Sequence, residues 1–379
     1  MKNKLLLSSA LVGGLALTGI ASAQTTITGS LDLSYKTISN KGTMSNQTDT
    51  GFGRESQINF ANKGKLNNGM DYAAGFSLEF DGKSGVAEGV NSTSTQSNLQ
   101  RVSRENIFMD LILGTTTLSV SADHLNNMSF SSAPRVAQNA ETTIGSANVA
   151  TTGYANDITS GTANGGAAYI FYPGAAKLGA SNYMGVGIQQ ATPVGVITGQ
   201  YFPRANAQQG GNDGIARVDA ADAYEVHYRG DLGVKGLSAN IGYNRINNAA
   251  PSATQAEKQT GKAIGVGYNF GQFAVGAQKN WTDNGVASGQ TGDIDISSVE
   301  LGATFAATKD ISVGITHVET DGTFRSATKM ASDEKIKSLT VGYNLGAITV
   351  SATVAELENA RGVSGNDSDI VLVRAGARF

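Results

Sequence analysis

The chain has 379 residues, a formal net charge of −3, 48 glycines, only 5 prolines and no cysteine. The lack of cysteine excludes a disulfide-stapled domain, and the small negative charge gives no electrostatic footprint for binding nucleic acid. Many glycines with few prolines disfavour long helices and collagen-like chains, and favour strands joined by turns.

The first 23 residues have the pattern of an export signal. Lys2 and Lys4 give a basic start, residues 5–20 are apolar apart from Ser and Thr, and residues 21–23 read Ala-Ser-Ala, a small-x-small cleavage site. A membrane anchor is the alternative, but the apolar stretch is short for a bilayer span of about 20 residues. We therefore expect residues 1–23 to be a signal peptide and residues 24–379 to form the mature domain.

Strand-like segments follow with a strict alternation of apolar and polar residues. In residues 26–36, Ile27, Leu33 and Tyr35 share one face, whereas Asp32 lies on the other; residues 70–80 repeat the pattern. These segments run about ten residues, the length that crosses a bilayer at a tilt, whereas strands of soluble sandwiches are nearer five or six. Because lipid tolerates no unpaired edge, such strands must close into a barrel.

The spacing of the segments predicts sixteen strands, with long connections after odd-numbered strands and short ones after even-numbered strands. This is the rhythm of an outer-membrane barrel with long outer loops and tight periplasmic turns. Residues 167–172 also look like a strand, but a seventeenth strand would separate the termini, so we assign them to a long third loop at about 123–181. The predicted spans are 26–36, 54–62, 70–80, 101–111, 115–123, 182–190, 195–202, 221–230, 237–246, 261–270, 272–281, 295–306, 310–320, 335–345, 347–357 and 368–379.

The last segment is the most specific. Val371, Val373 and Phe379 share a face with two alanines, and Arg374 shares the opposite face with Gly376. Tyr268 and Tyr343 each stand on the apolar face just before a glycine turn, where amphipathic rings favour the membrane–water boundary.

At this point the sequence resembles the Gram-negative general porin family. Residues 26–32, 65–80, 182–201 and 373–379 look like that family's first strand, its second turn with the third strand, its strands after the third loop, and its closing strand. The resemblance implies a sixteen-stranded, all-β antiparallel barrel that forms a homotrimer, with an aqueous pore in each subunit narrowed by the third loop. It also implies that the terminal Phe379 is the signal read by the barrel-assembly machinery.

The sequence departs from the family pattern in its charges. The second turn carries Lys63 and Lys65 where the family has an acidic pair, and the second strand carries Gln57 and Asn59 where the family has an inward Arg. The sign of the ion selectivity therefore stays open.

The sequence contains few motifs that indicate catalysis or metal binding. The three histidines, at 124, 227 and 317, lie in no motif with a nucleophile, and no Cys/His metal pattern occurs. Calcium binding by acidic loop residues such as Asp213, Asp321 and Asp367 is an alternative, but loop acids are usually just solvated. We expect no enzyme activity, no metal centre and no cofactor.

The parity of the strands predicts the charges that face the pore. Charged side chains avoid lipid, at a cost of about 2–4 kcal/mol for Arg or Lys at the midplane. Asp32 and Arg374 therefore point inward, and one phase of strand four turns both Arg104 and Asp110 inward at the cost of a lumenal Phe108. The third loop can offer further charges to the constriction, namely Asp123, Arg135, Glu141 and Asp157.

The sequence thus predicts an outer-membrane porin for passive diffusion of small hydrophilic solutes and ions. Expected partners are two further copies of the chain, the barrel-assembly machinery, and outer-membrane lipid with lipopolysaccharide; no nucleic acid partner is expected. A barrel that serves mainly as an adhesin or phage receptor through its loops is the first alternative. A soluble all-β binding protein of the periplasm is the second.

Overall fold

The fold is taken from a computed structural model that describes residues 24–40, 48–81, 102–121, 125, 132–134, 136, 184–203, 222–247, 258–283, 294–324, 332–359, 364–365 and 367–379. These residues form a closed antiparallel barrel of sixteen strands. The predicted all-β, sixteen-stranded fold class is confirmed, and residues 167–172 lie outside the described residues. The strands are β1 Gln24–Asn40, β2 Thr48–Lys65, β3 Asp71–Asp81, β4 Val102–Leu113, β5 Thr116–Ser121, β6 Gly185–Thr192, β7 Gly195–Phe202, β8 Asp222–Gly230, β9 Leu237–Asn247, β10 Lys258–Phe270, β11 Phe273–Asp283, β12 Ile294–Ala306, β13 Ile311–Phe324, β14 Glu334–Asn344, β15 Ile348–Glu358 and β16 Ser368–Arg378.

Each strand pairs with its sequence neighbours, and β1 pairs with β16 to close the sheet. The short connections after even-numbered strands are tight turns. Gly114, Gly271 and Gly346 have positive φ angles of 64°, 83° and 88° in them, a region that suits glycine because it has no Cβ. No helix among the described residues is long and apolar enough to cross a membrane.

The two faces of the barrel wall differ in chemistry as the alternation predicts. On β10, Ile264, Val266 and Tyr268 point outward and are exposed, whereas the alternate residues are buried inside. Aromatic rings stack along the turn-side edge from Phe270 to Phe273, with centroids 5.8 Å apart. A ring of this kind marks a membrane–water boundary. The outward face is therefore an apolar band, and the inward face lines a lumen.

One irregularity interrupts the wall between β3 and β4. The register shifts between Gly75 and Ser77, so that Gly75 pairs with Phe108 and Ser77 pairs with Glu105. A bulge of this kind adds a residue to one strand and reverses its alternation. Asp110 is buried on the inward face of β4, whereas the side chain of Arg104 lies outside the described residues. The expectation that one phase carries both Arg104 and Asp110 inward therefore stays a prediction.

The terminal residue completes the closure of the barrel. Gly29 donates its N–H to the carbonyl of Phe379 at 2.6 Å, and the N–H of Phe379 donates back to the carbonyl of Gly29 at 3.0 Å. The ring of Phe379 lies over Gly29, where an added Cβ would be 2.5 Å from the ring atom Cε2. The side chain of Phe379 therefore covers the outer side of Gly29.

We predict that Gly29→Val destabilises the closed barrel. The new side chain cannot share its position with the Phe379 ring, and overpacking of this kind costs about 1–3 kcal/mol. Gly199→Val is the matched control, because an added Cβ there has its nearest neighbour at 3.7 Å. Denaturant unfolding of the refolded barrel in detergent measures the difference. Equal stability of the two variants would contradict the role given to the Phe379 ring.

Candidate pore and constriction

Part of the third long connection lies inside the barrel. Ser132 is buried, and its N–H donates to Oε1 of Gln278 at 3.0 Å. Nδ2 of Asn240 donates to Oγ of the same serine at 2.5 Å and to Gln278 Oε1 at 3.0 Å. Gln278 and Asn240 are inward residues of β11 and β9, so these bonds hold the connection against the lumen wall.

A track of inward glycines receives this segment. At Gly302 an added Cβ would lie 2.6 Å from the carbonyl oxygen of Pro134, and at Gly314 it would lie 2.7 Å from a methyl of Val136. Any side chain on the track would collide with the connection, so its backbone approaches the sheet as closely as glycine allows. We call these positions the glycine seat: Gly265 and Gly267 on β10, Gly276 on β11, Gly302 on β12 and Gly314 on β13.

A second contact anchors the connection near its start. Nε2 of Gln200 donates to the carbonyl of Leu125 at 3.3 Å. Leu125 is buried, and one of its methyl groups occupies the space that a side chain at Gly187 would need. The connection is therefore fixed to β6 and β7 before it reaches the glycine seat on β10–β13.

An ion pair lies on the wall where the barrel closes. Arg374 on β16 meets Asp32 on β1 through two contacts, Nη2 to Oδ2 at 2.9 Å and Nε to Oδ1 at 3.0 Å. Two parallel contacts are the strong, directional form of an Arg–carboxylate pair. Gly376 stands opposite Asp32, and an added Cβ there would lie 2.6 Å from Oδ1, so glycine leaves room for the carboxylate.

Other ionisable side chains face inward and are buried. Asp110 on β4 is 7% exposed, and Glu225 on β8 lies 3.1 Å from the ring of His227. Glu300 on β12 and Glu334 on β14 are fully buried. Their inward direction agrees with the parity of the strands.

Four of the predicted constriction residues lie outside the described residues, namely Asp123, Arg135, Glu141 and Asp157. The side chain of Arg104 is also outside them. Asp32 and Arg374 are brought together, whereas Asp110 lies on a different part of the wall, between Ala73 and Ser119. Sequence reasoning missed the glycine seat and the two amide side chains, Asn240 and Gln278, that bind Ser132. Glycines at inward parity on four consecutive strands are a visible signal for the seat. The described residues contain no group of three His, Cys, Asp or Glu that could hold a metal ion.

A closed barrel with an apolar exterior, a polar interior and a connection folded into the lumen defines a transmembrane channel of the porin class. The family model described as Gram-negative porin matches residues 8–362, so the chain belongs to the Gram-negative porin family. It is an outer-membrane channel for passive diffusion of small hydrophilic solutes and ions. Comparison with curated proteins gives no match.

Solved structures with the same fold cover almost the whole chain. The loop L8 deletion mutant of OmpT, an outer membrane protein of Vibrio cholerae, has a TM-score of 0.60 at 10% identity, over 94% of this chain and 99% of that chain. The anion-selective porin from Comamonas acidovorans has a TM-score of 0.59 at 16% identity, over 94% and 100%. Salmonella typhi OmpF in complex with daunomycin has a TM-score of 0.58 at 11% identity, over 94% and 98%. At these identities the likeness is one of fold.

We predict that Gly302→Ala lowers the single-channel conductance. The three atoms nearest to the added methyl all belong to the connection, namely the carbonyl oxygen of Pro134 at 2.6 Å and Ala133 Cβ and Pro134 Cδ, both at 3.2 Å. The sheet is rigid through its hydrogen bonds, so the connection shifts toward the pore axis. Gly199→Ala, which adds the same methyl on the outer face, is the control. An unchanged conductance in a correctly assembled Gly302→Ala barrel would show that the connection does not rest on β12.

Proposed function

We propose that the third connection sets the size limit of the pore and that the Asp32–Arg374 pair tunes its ion selectivity. The observation that carries the proposal is the position of Ser132 inside the barrel, bonded to Gln278 and Asn240. A sixteen-stranded barrel is wide enough to leave an aqueous channel. Its narrowest point is then set by chain that enters the lumen.

The charges on the wall favour a polar passage. Low-dielectric walls focus the field of charged groups on a narrow pore, so single charges there influence which ions pass. The Asp32–Arg374 pair is neutral as a unit and partly exposed, at 22% and 17% of the two side chains. Each partner cancels most of the field of the other, and loss of either leaves an uncompensated charge on the lumen wall.

The third connection can add charges opposite this wall. Asp123, Arg135, Glu141 and Asp157 are the candidates, and with Asp110 they complete the proposed set. Arg104 on β4, whose side chain lies outside the described residues, stays a further candidate from the sequence. The protein performs no covalent chemistry in this proposal and needs no cofactor, because diffusion through water requires neither. No observation favours an adhesin or phage receptor.

We further propose that the barrel assembles as a homotrimer through the outer faces of β1–β3. Phe60 and Phe76 stack there with ring centroids 5.1 Å apart, and Leu31 and Leu33 extend the apolar surface. Phe379 serves as the signal for the barrel-assembly machinery before it becomes the closing residue. Residues 1–23 act as the export signal, and the mature barrel contacts lipopolysaccharide in the outer leaflet.

We predict that deletion of residues 138–165 raises the single-channel conductance and the solute size limit. The deletion removes the middle of the third connection but keeps Leu125, Ser132 and Val136, which hold its first part against the wall. Planar-bilayer recordings and liposome swelling with sugars of increasing size measure both quantities. Unchanged values in a variant that assembles correctly would place the narrowest point elsewhere.

We predict opposite selectivity shifts from the two halves of the ion pair. Arg374→Gln leaves the Asp32 carboxylate uncompensated and moves the reversal potential toward cation selectivity, whereas Asp32→Asn moves it toward anion selectivity. The double variant returns close to the original value because the pair is neutral. Screening shortens from about 10 Å at 0.1 M salt to about 3 Å at 1 M, so both shifts shrink in high salt.

Lys335→Gln is the control for this measurement, because it removes a charge from the outer face of β14. It should leave the reversal potential unchanged. Shifts of the same sign for Arg374→Gln and Asp32→Asn, or a shift from the control, would refute the role given to the pair.

We predict that the refolded protein runs as an SDS-resistant trimer that heat converts to a monomer. The apolar outer faces of β1–β3 supply the contact, because their side chains can pack closely against the neighbouring subunits. Semi-native gels with cross-linking check the state. A correctly folded barrel that cross-links only as a monomer would rule out the trimer.

A further inference from the structure

The lysines on the outer face of β14 each have a carboxylate partner. Nζ of Lys335 lies 3.6 Å from a carboxylate oxygen of Glu319 on β13. Lys337 pairs with Glu358 on β15. These cations therefore carry their own counter-charge on the barrel.

The outer face of β9–β11 is different. Arg245, Lys262 and Lys279 point outward there, and none has a carboxylate partner in the part of the chain that the structure describes. Arg245 donates from Nε to Oδ1 of Asn247 at 2.6 Å, and Nζ of Lys279 lies 5.2 Å from the ring centre of Trp281. We call Arg245, Lys262 and Lys279 the outer cation row.

The register makes the three cations close neighbours. Lys262 stands opposite Tyr243 on β9 and opposite Trp281 on β11. Arg245 and Lys279 are each two residues from those partners, which places both diagonal to Lys262. Diagonal neighbours on a sheet are about 7–8 Å apart, so Lys262 lies between Arg245 and Lys279, which are about 15 Å from each other. A headgroup with two phosphates can span a row of this length.

The backbone of the row lies in the outer half of the apolar band, about 15–20 Å above the turn-side residues, and the long side chains extend from there toward the outer boundary. Its members are six to eight residues along their strands from Leu237, Phe270 and Phe273, the residues beside the periplasmic turns. A tilted strand rises about 2.5 Å per residue along the barrel axis, and the apolar band is about 25 Å tall. The long Lys279 side chain runs further up its strand toward Trp281. Tyr243 and Trp281 are the aromatic types that prefer this boundary.

The electrostatic balance of this face is positive. Lys258, at the upper end of β10, adds a fourth outward cation, and the outward acids of β8–β11 are Asp222 and Asp283. Asp222 accepts a hydrogen bond from Asn247 at 3.1 Å. Outward cations therefore outnumber outward acids by four to two on these strands. The described part of this face therefore keeps a net positive charge, which an external anion would balance.

We propose that the outer cation row binds the phosphorylated headgroup of an outer-leaflet lipid. Phosphate is the anion that a lipid presents at this depth, and basic residues near a charged membrane surface gain about 1 kcal/mol each. The guanidinium of Arg245 offers two parallel donors, the geometry that suits phosphate. The aromatic rings pack against the upper acyl chains. Strands β9–β11 lie across the barrel from β1–β3, so the surface stays in contact with lipid in the proposed trimer.

The test compares two triple variants of the full mature chain. Arg245→Gln, Lys262→Gln and Lys279→Gln together remove the row. The matched control, Lys309→Gln, Lys335→Gln and Lys337→Gln, removes three cations that have carboxylates nearby. Each barrel is mixed in detergent with bis-phosphorylated lipid A, with the same lipid after removal of its phosphates, or with inorganic pyrophosphate alone. Native mass spectrometry counts the bound molecules.

The expected result is at least a tenfold loss of bound bis-phosphorylated lipid for the row variant and little change for the control. Removing the phosphates should abolish the difference between the two. Equal retention by both variants, or retention that does not depend on the lipid phosphates, would overturn the proposal. Full occupancy by pyrophosphate alone would also overturn it, because the site would then be one for a soluble anion. Heat-modifiable migration and unchanged single-channel conductance show that the row variant is folded, and they are independent of lipid binding.

Discussion

The whole structure depends on the rule that a backbone amide in lipid must be hydrogen-bonded within the protein. The rule forbids a free edge, so the sixteenth strand must return to the first, and the last residue makes the closing bonds to Gly29. Closure of sixteen strands creates a lumen too wide to be filled by wall side chains. Chain must therefore enter from a loop if passage is to be restricted, and the wall must present a surface on which that chain can rest.

The strand pattern was predictable because one face meets lipid and the other meets water, which forces a period of two. All sixteen segments predicted from it correspond to observed strands, and the turn glycines marked the short connections. The bulge opposite Phe76 was not predictable, because a single extra residue on β4 leaves an alternating pattern on either side of it. Asp110, on the far side of the bulge, is buried on the inward face.

The candidate pore, like the fold, has one part that the sequence predicts and one part that it does not. The contact of Asp32 with Arg374 follows from two inferences available in the sequence, namely inward parity and the pairing of the first strand with the last. Predicting the glycine seat needs a third inference, because a glycine at an inward position gives the same sequence pattern whether water or backbone occupies the space beside it. Only the position of Ser132 and Pro134 shows that backbone occupies it. A substitution such as Gly302 to a larger residue would look harmless on a water-filled wall.

Charge is handled by one principle on both faces of the wall: a charged group persists where something nearby compensates it. Inside, Asp32 compensates Arg374, and water in the pore screens what remains. Outside, Glu319 and Glu358 compensate the lysines of β14. Among the described residues the outer cation row has no ion-paired carboxylate, and the Trp281 ring near Lys279 is a weak substitute because a cation–π contact is worth about 0.5–1 kcal/mol at an exposed site. The compensating group that we propose for this face is a lipid phosphate, which the membrane supplies at the level that these side chains reach.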